Sequence, residues 1–228
     1  MKNLMIASGG PRSRSWWARW GKPVADRFGA ILLLVLLSPL LLASMILIYA
    51  SDRGTVFFRQ RRAGMGGAPF MLVKFRTMRF DRTPDALERV PLHHPDITRV
   101  GWWLRRFKID EAPQLWNVLR GEMSLVGPRP TLLDQVKAYD DFKRQRLLVR
   151  PGMTGLAQVR GNADVSWEQR ILFDVAYVRR CNLRLDSWIL LRTIGVVLTG
   201  GKGPFPDFQD TPFASSIDPR EAASCLYP

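Results

Sequence analysis

The segment Arg105-Arg106-Phe107-Lys108-Ile109-Asp110-Glu111-Ala112-Pro113-Gln114 sets two adjacent carboxylates directly after three cationic side chains. Pro113 has no backbone N–H and is tolerated in the first turn of a helix, so a helix is expected to begin here with Asp110 near its N-cap. There the partial positive charge of the helix terminus keeps a carboxylate ionised and favours a neighbouring phosphate. Asp110 as an oxygen nucleophile, Glu111 as a second carboxylate and a cationic cradle suit phosphoryl chemistry. The competing reading is an ordinary Asp cap beside a solvated basic face.

Other residues could bind phosphate. Arg129 lies between Pro128 and Pro130, which limit its backbone and pre-organise its guanidinium for bidentate binding. The alternative is a proline-bounded turn that happens to hold an Arg. Arg150 precedes Pro151 and the glycines Gly152 and Gly155, whose backbone can approach a ligand closely. His93-His94 has no carboxylate or Cys at ligand spacing and reads as a loop pair. Cys181 and Cys225 show neither metal spacing nor a disulfide framework, which fits a reducing compartment. The net charge of +14 asks for an anionic partner: nucleic acid, anionic lipid or a phosphorylated substrate. The basic residues are dispersed and form no nucleic-acid-binding motif, which disfavours the first.

The elements that must position these groups begin with an uncharged apolar stretch at 28–50, long enough to cross the hydrocarbon as a helix. Basic residues flank both of its ends: Lys2, Arg12, Arg14, Arg19, Lys22 and Arg27 before, Arg53, Arg59, Arg61 and Arg62 after. Both flanks therefore favour the cytoplasmic side, which a re-entrant helix satisfies and a single crossing does not. Ser38-Pro39 near the middle supplies a break, and the Ser38 hydroxyl can bond a carbonyl that the proline frees. An ordinary kinked span is the alternative. Before it, Trp16, Trp17 and Trp20 alternate with basic residues, as in a helix lying at the headgroups of anionic lipids.

The β-branched and aromatic runs at 55–62 and 70–76, joined by the glycine-rich 63–69, predict a β-hairpin. The polar stretch 81–94 reads as loop with a short helical piece, and 97–107 as a helix leading to Asp110. The next helix ends at Gly121. Further helices are expected at 132–146, 166–180 and 185–198, the last apolar enough to pack in a core or lie in the membrane plane. Residues 200–228, rich in Gly and Pro, are expected to be mobile or loosely packed.

Six ordered motifs carry a family resemblance: Phe58-Arg59-Gln60-Arg61, Lys74-Phe75-Arg76-Thr77-Met78, Thr98-Arg99-Val100-Gly101, Asp110-Glu111-x-Pro113-Gln114-Leu115-x-Asn117-Val118, Gly121-x-Met123-Ser124-Leu125-Val126-Gly127-Pro128-Arg129-Pro130, and Arg150-Pro151-Gly152-x-Thr154-Gly155. Over residues 26–198 the chain resembles the small monotopic phosphoglycosyl transferases, the bacterial sugar transferase family that starts membrane glycoconjugate and exopolysaccharide assembly. Ser38-Pro39 resembles the break in that family's re-entrant helix. The resemblance implies an α+β, mostly helical fold at the cytoplasmic face of the bacterial inner membrane: a lead-in at 1–27, a re-entrant membrane helix at 28–50, a small catalytic domain with a β-hairpin at 51–199, and the tail at 200–228.

It also implies transfer of a sugar 1-phosphate from a UDP-sugar to polyprenol phosphate with release of UMP. Asp110 would attack and carry the phosphosugar covalently, with Glu111 and Mg²⁺ assisting and both carboxylates near the metal. Lys74 and Arg105 match basic positions near the family's dyad and Arg129 matches its Pro-Arg-Pro motif; these and Arg150 would hold phosphate, although Arg150, like Arg76, could equally be structural. After Gln158 the chain departs from the family pattern. Asn162 stands at a usual Arg position, and Arg160 is the candidate substitute for any nucleotide contact made there. A non-catalytic membrane scaffold of the same fold is the competing function.

Overall fold

The apolar stretch forms one uninterrupted helix, α1 (Lys22–Asp52), entered through a π-helical turn at Trp17–Gly21. The computed structural model describes residues 16–79, 90–161, 165–199 and 206–226. Pro39 cannot donate to the carbonyl of Val35, and the Ser38 hydroxyl donates to that carbonyl instead, at 2.8 Å. The expected local repair is therefore present, within a continuous helix. The apolar helix, of mean hydropathy 2.9, leaves most of its surface uncovered.

One side of α1 does pack, on both sides of Pro39. Ala30, with Leu33, Leu34 and Leu37, meets Phe70, Leu72, Leu115, Val118 and Met123. Further along, Ile48, with Leu41 and Met45, meets Phe75 and Leu104. Ala30 and Ile48 are separated by about 27 Å of helix at 1.5 Å per residue, so the body of the protein runs alongside most of α1.

The hairpin forms as expected from β1 (Phe57–Ala63) and β2 (Pro69–Phe75), antiparallel, with Phe57 opposite Phe75 and Ala63 opposite Pro69. The period-2 alternation puts Leu72 into the α1 cluster and Lys74 on the same face, toward the carboxylates. Helix α2 (Arg99–Arg106) is capped by Thr98, whose hydroxyl accepts from the Gly101 N–H at 2.9 Å. A Cβ at Gly101 would stand 2.1 Å from the Thr77 carbonyl oxygen, so only glycine lets α2 lie this close to the segment leaving β2. Helix α3 (Gln114–Leu119) ends before Gly121, as expected, where φ is +76°.

A second, parallel ladder was not expected. It joins β3 (Ser124–Val126) to β4 (Gly152–Thr154), Ser124 opposite Gly152 and Val126 opposite Thr154. The single helix expected at 132–146 is broken into α4 (Leu133–Lys137), α5 (Asp141–Arg144) and a 3₁₀ turn at Gln145–Leu148. The carboxylate of Asp140 accepts from the Lys143 N–H and starts α5 afresh, a local competition that the charge pattern hid. After the short α6 (Leu156–Val159), α7 (Trp167–Arg180) forms the centre of the main core, with Ile171, Leu172, Phe173, Val175, Ala176 and Tyr177 all buried. The following α8 (Leu183–Thr199) buries Ile189 and exposes Leu183, Leu191, Ile194 and Leu198.

The tail expected to be mobile or loosely packed is anchored over its described part, 206–226. Phe208, Phe213, Ile217, Ala222 and Cys225 are buried against α7, and Glu221 of α9 (Pro219–Leu226) pairs with Arg179 at 3.0 Å. Pro212 and Pro219 stand between apolar anchors spaced widely enough to follow the surface of α7, and burial of those anchors offsets the backbone entropy. The readings of 81–89, of Asn162 and of 200–205 lie outside the described residues. Over the described residues the fold is mostly helical, with two small sheets and one long apolar helix.

Candidate active site

Asp110 and Glu111 lie in a 3₁₀ turn, Ile109–Glu111, between α2 and α3. Asp110 is not at a helix N-cap, contrary to the expectation from sequence: α3 starts at Gln114 with Pro113 as its capping residue. Lys108, in the left-handed region at φ 58°, turns the chain after α2, and its carbonyl accepts from the Glu111 N–H. That extra turn separates the dyad from α3.

The consequence is electrostatic. Burial first, and the charge of Glu111 second, raise the Asp110 pKa from 3.8 to about 6, against the pull of Lys74, Lys108 and Arg105. The neighbouring Glu111 behaves oppositely. Burial pushes its carboxyl up, but Arg129 and Lys74 outweigh burial and hold it well below the usual range. Its Oε1 accepts from Arg129 Nη2 at 2.7 Å and from Lys74 Nζ at 2.9 Å. Among the described residues, Oδ1 of Asp110 is buried with no hydrogen-bond partner. One carboxylate thus meets two cations through a single oxygen and the other is left open, a division suited to one structural and one reacting group.

Of the residues singled out in the sequence, Lys74, Glu111 and Arg129 are in direct contact. Arg105 is held by Thr77, Nε to Oγ1 at 2.8 Å, and Asp110 acts on its charge from nearby. Asn117 fixes the relation of strand to dyad, accepting from the Val73 N–H at 3.2 Å and donating to the Met71 carbonyl at 2.8 Å. Arg150 is not brought into this cluster. Its guanidinium lies by Gly121, past the C-terminal end of α3, whereas Asp110 precedes the other end. Arg160 stacks over Trp188 and Phe213, ring centroids 5.1 and 5.5 Å away.

Two site residues were missed. Lys108 was read only as part of a basic run. Arg62, in β1, has its pKa lowered to about 10 by burial and by Arg129, with Glu111 acting in the opposite sense, so it shares the field of the dyad. The alternation of β1 puts Gln60 and Arg62 on one face, but their approach to residue 130 depends on a contact 68 residues away in sequence.

Beside the dyad a cavity of about 300 Å³ runs between α1 and α2. Leu40, Ala43 and Leu47 form one wall, Val100, Trp103 and Phe107 the other, and Ile109 ends it one residue from Asp110. Its lining is almost wholly apolar.

Comparison with known proteins gives this geometry a context. Residues 17–200 match the family described as Bacterial sugar transferase. The chain is 42% identical over 187 residues to the exopolysaccharide production protein ExoY of Rhizobium meliloti, covering 75% of this chain and 83% of that protein. It is 41% identical over 208 residues to the UDP-glucose:undecaprenyl-phosphate glucose-1-phosphate transferase of Caulobacter vibrioides, covering 86% and 76%. This chain belongs to the bacterial sugar transferase family. The matched span contains every cationic and acidic residue of the cluster around Asp110, while the packed segment 206–226 of this transferase lies beyond it.

Proposed function

We propose that this transferase moves a sugar 1-phosphate from a UDP-sugar to polyprenol phosphate, releasing UMP, at the cytoplasmic face of the bacterial inner membrane. The observation that carries the reading is Asp110: a buried carboxylate with an unpartnered oxygen, among Lys74, Arg105 and Lys108, next to a carboxylate already neutralised by two cations. The Caulobacter relative, named for UDP-glucose and undecaprenyl phosphate, supports the donor and acceptor classes.

An Asp110 oxygen attacks the β-phosphorus of the donor. A phosphorus–oxygen bond forms to the carboxylate, the bond to the bridging oxygen breaks, and UMP leaves with that electron pair. A phosphate oxygen of the polyprenol phosphate then attacks the same phosphorus, forms the lipid diphosphate sugar and returns Asp110 as a carboxylate. Lys74 and Arg129 hold Glu111 ionised and present positive charge to the diphosphate, as Arg105 and Lys108 do from the side of α2. The covalent intermediate lets a water-soluble donor and a membrane-held acceptor use one site in turn.

Mg²⁺ fits these residues. A magnesium ion is commonly held by one or two carboxylates together with substrate phosphate oxygens, and the open Oδ1 of Asp110 would serve as such a donor, with Glu111 beside it meeting its two cations through Oε1. When bound, Mg²⁺ would neutralise the diphosphate and polarise its oxygens.

Two features support a monotopic arrangement. Packing of α1 against the catalytic body on both sides of Pro39 is more compatible with a helix that enters and returns than with one standing clear of the protein through a bilayer. The apolar cavity that ends at Ile109 suits the phosphate-proximal part of a polyprenyl chain, whose phosphate would then arrive at Asp110.

The decisive assay uses radiolabelled UDP-sugars with polyprenol phosphate and measures UMP release. The reading expects release by the native protein, none by Asp110→Asn, and label retained on the protein when the lipid acceptor is withheld. Release by Asp110→Asn at the native rate would refute it.

A further inference from the structure

The segment bearing Arg129 is held carbonyl by carbonyl. Pro128 O accepts from the Gly152 N–H at 2.8 Å, and Thr131 O from the Ala63 N–H at 2.9 Å. Between these backbone contacts, two arginines serve the two middle carbonyls. Arg129 O accepts from Arg146 Nη2 at 3.1 Å, and Pro130 O from Arg62 Nη1 at 3.4 Å. Each arginine is itself fixed. Arg62 donates through Nε and Nη2 to Gln60 Oε1 at 3.1 and 2.6 Å. Arg146, only 3% exposed, is paired with the equally buried Asp174 of the core helix α7 and donates to Tyr139 Oη at 2.8 Å. Its guanidinium also faces the ring of Trp167 at 5.3 Å.

A fully buried ion pair is a poor source of stability, because desolvation offsets most of the Coulombic gain. Here the same Nη2 that meets Asp174 also meets the carbonyl of Arg129, so the pair has a second consequence: it ties the backbone that carries Arg129 to the buried core helix α7. The close backbone crossing agrees with this. A Cβ at Gly152 would stand 2.1 Å from Gly127 N, and one at Gly155 2.2 Å from Gly127 O.

We propose that Arg146, held by Asp174, and Arg62, held by Gln60, are positioning residues that fix Arg129 against Glu111 through the carbonyls of Arg129 and Pro130. The proposal rests on the reading of the Asp110–Glu111 turn as the reaction centre. The two arginines touch no reacting atom and act through the backbone of the Pro-Arg-Pro segment, while the side chain of Arg129, 43% exposed, is left free to meet the diphosphate.

The test is a double-mutant cycle on UMP release. Lysine at either position keeps a positive charge but lacks the planar fork that serves two or three acceptors together. Arg146→Lys and Arg62→Lys are each expected to lower kcat by about 10-fold to 100-fold, the scale of a small misplacement at a reaction centre. In an Arg129→Ala background the same substitutions should each cost no more than about 2-fold, because the group they position is gone. If the full loss persists without Arg129, or if folded single variants keep native kcat, the inference is wrong. Arg62 lies on a partly exposed strand, so Arg62→Lys carries the test should Arg146→Lys fail to fold. Asp110→Asn run in parallel separates the two levels: native turnover there overturns the assignment of the site, whereas multiplicative losses with Asp110→Asn inactive overturn only the positioning role.

Discussion

Removing the Asp110 charge should stabilise the free protein while abolishing its activity. In the folded chain the Asp110 carboxyl titrates near 6, against an ordinary 3.8, because burial and Glu111 disfavour its charged form. At about 1.4 kcal/mol per pKa unit this amounts to roughly 3 kcal/mol. The raised pKa means that folding favours the protonated form. The favourable contribution is whole below pH 3.8, where both states carry the proton, and is lost as pH rises through about 6. Asp110→Asn cannot titrate and loses nothing over that range. The stability difference between variant and native protein should therefore grow from little at pH 4 to about 3 kcal/mol above pH 7, on top of any constant offset from the amide. For a chain of this size that corresponds to roughly 6–12 °C in Tm.

The assay is thermal unfolding in detergent or nanodiscs with a metal chelator, both proteins scanned at one rate from pH 4 to 8. Added Mg²⁺ should then raise the Tm of the native protein above pH 6 and leave Asp110→Asn unchanged, since the open Oδ1 is the group that gains a partner. A stability difference flat with pH would refute the reasoning, because it would mean that Asp110 titrates alike in the folded and unfolded chain.

Replacing Lys74 by Met leaves Glu111 with Arg129 as its one ion-pair partner among the described residues, and should lower kcat for UMP release by about 10²-fold to 10³-fold, read by the radiolabel assay. Filling the apolar cavity with Ala43→Trp should raise KM for long-chain polyprenol phosphate and leave labelling of the protein by UDP-sugar alone unaffected, so a loss of labelling would argue against a lipid-chain role. Truncation after residue 199 should uncover the α7 surface beneath Phe208, Phe213 and Ile217 and cost several kcal/mol, at about 1.5–3 per large apolar side chain, seen as a lower Tm. Ser38→Ala leaves the Val35 carbonyl unbonded in an apolar setting and should cost about 1–3 kcal/mol, measured the same way.

The sequence by itself determined the long apolar helix and the hairpin, and pointed to the Asp110–Glu111 pair as the candidate centre. Apolar length marked α1, alternation marked the hairpin, and the adjacent Asp110 and Glu111 behind a basic run marked the centre. These signals are short-range: each depends on residues within a turn, a strand or a proline's reach, and the six motifs kept them in order. The ionisation of the dyad was decided by tertiary structure. Asp110 and Glu111 are neighbours in sequence with opposite shifts, because Lys74 from β2 and Arg129 from the segment after β3 both converge on Glu111, while Oδ1 of Asp110 is buried without a hydrogen-bond donor among the described residues. Sequence put Arg150 with the phosphate binders and left Arg62 out, whereas the fold sets Arg150 by Gly121 and Arg62 against Pro130 in the field of the dyad: the route from β1 to Pro130 spans 68 residues that no local pattern encodes. The packed tail has the same origin, since spaced apolar residues in a Gly- and Pro-rich stretch acquire a structure only when a core helix offers them a surface. Side-chain type and spacing establish which chemistry is available, and long-range packing sets the charge state in which each group waits.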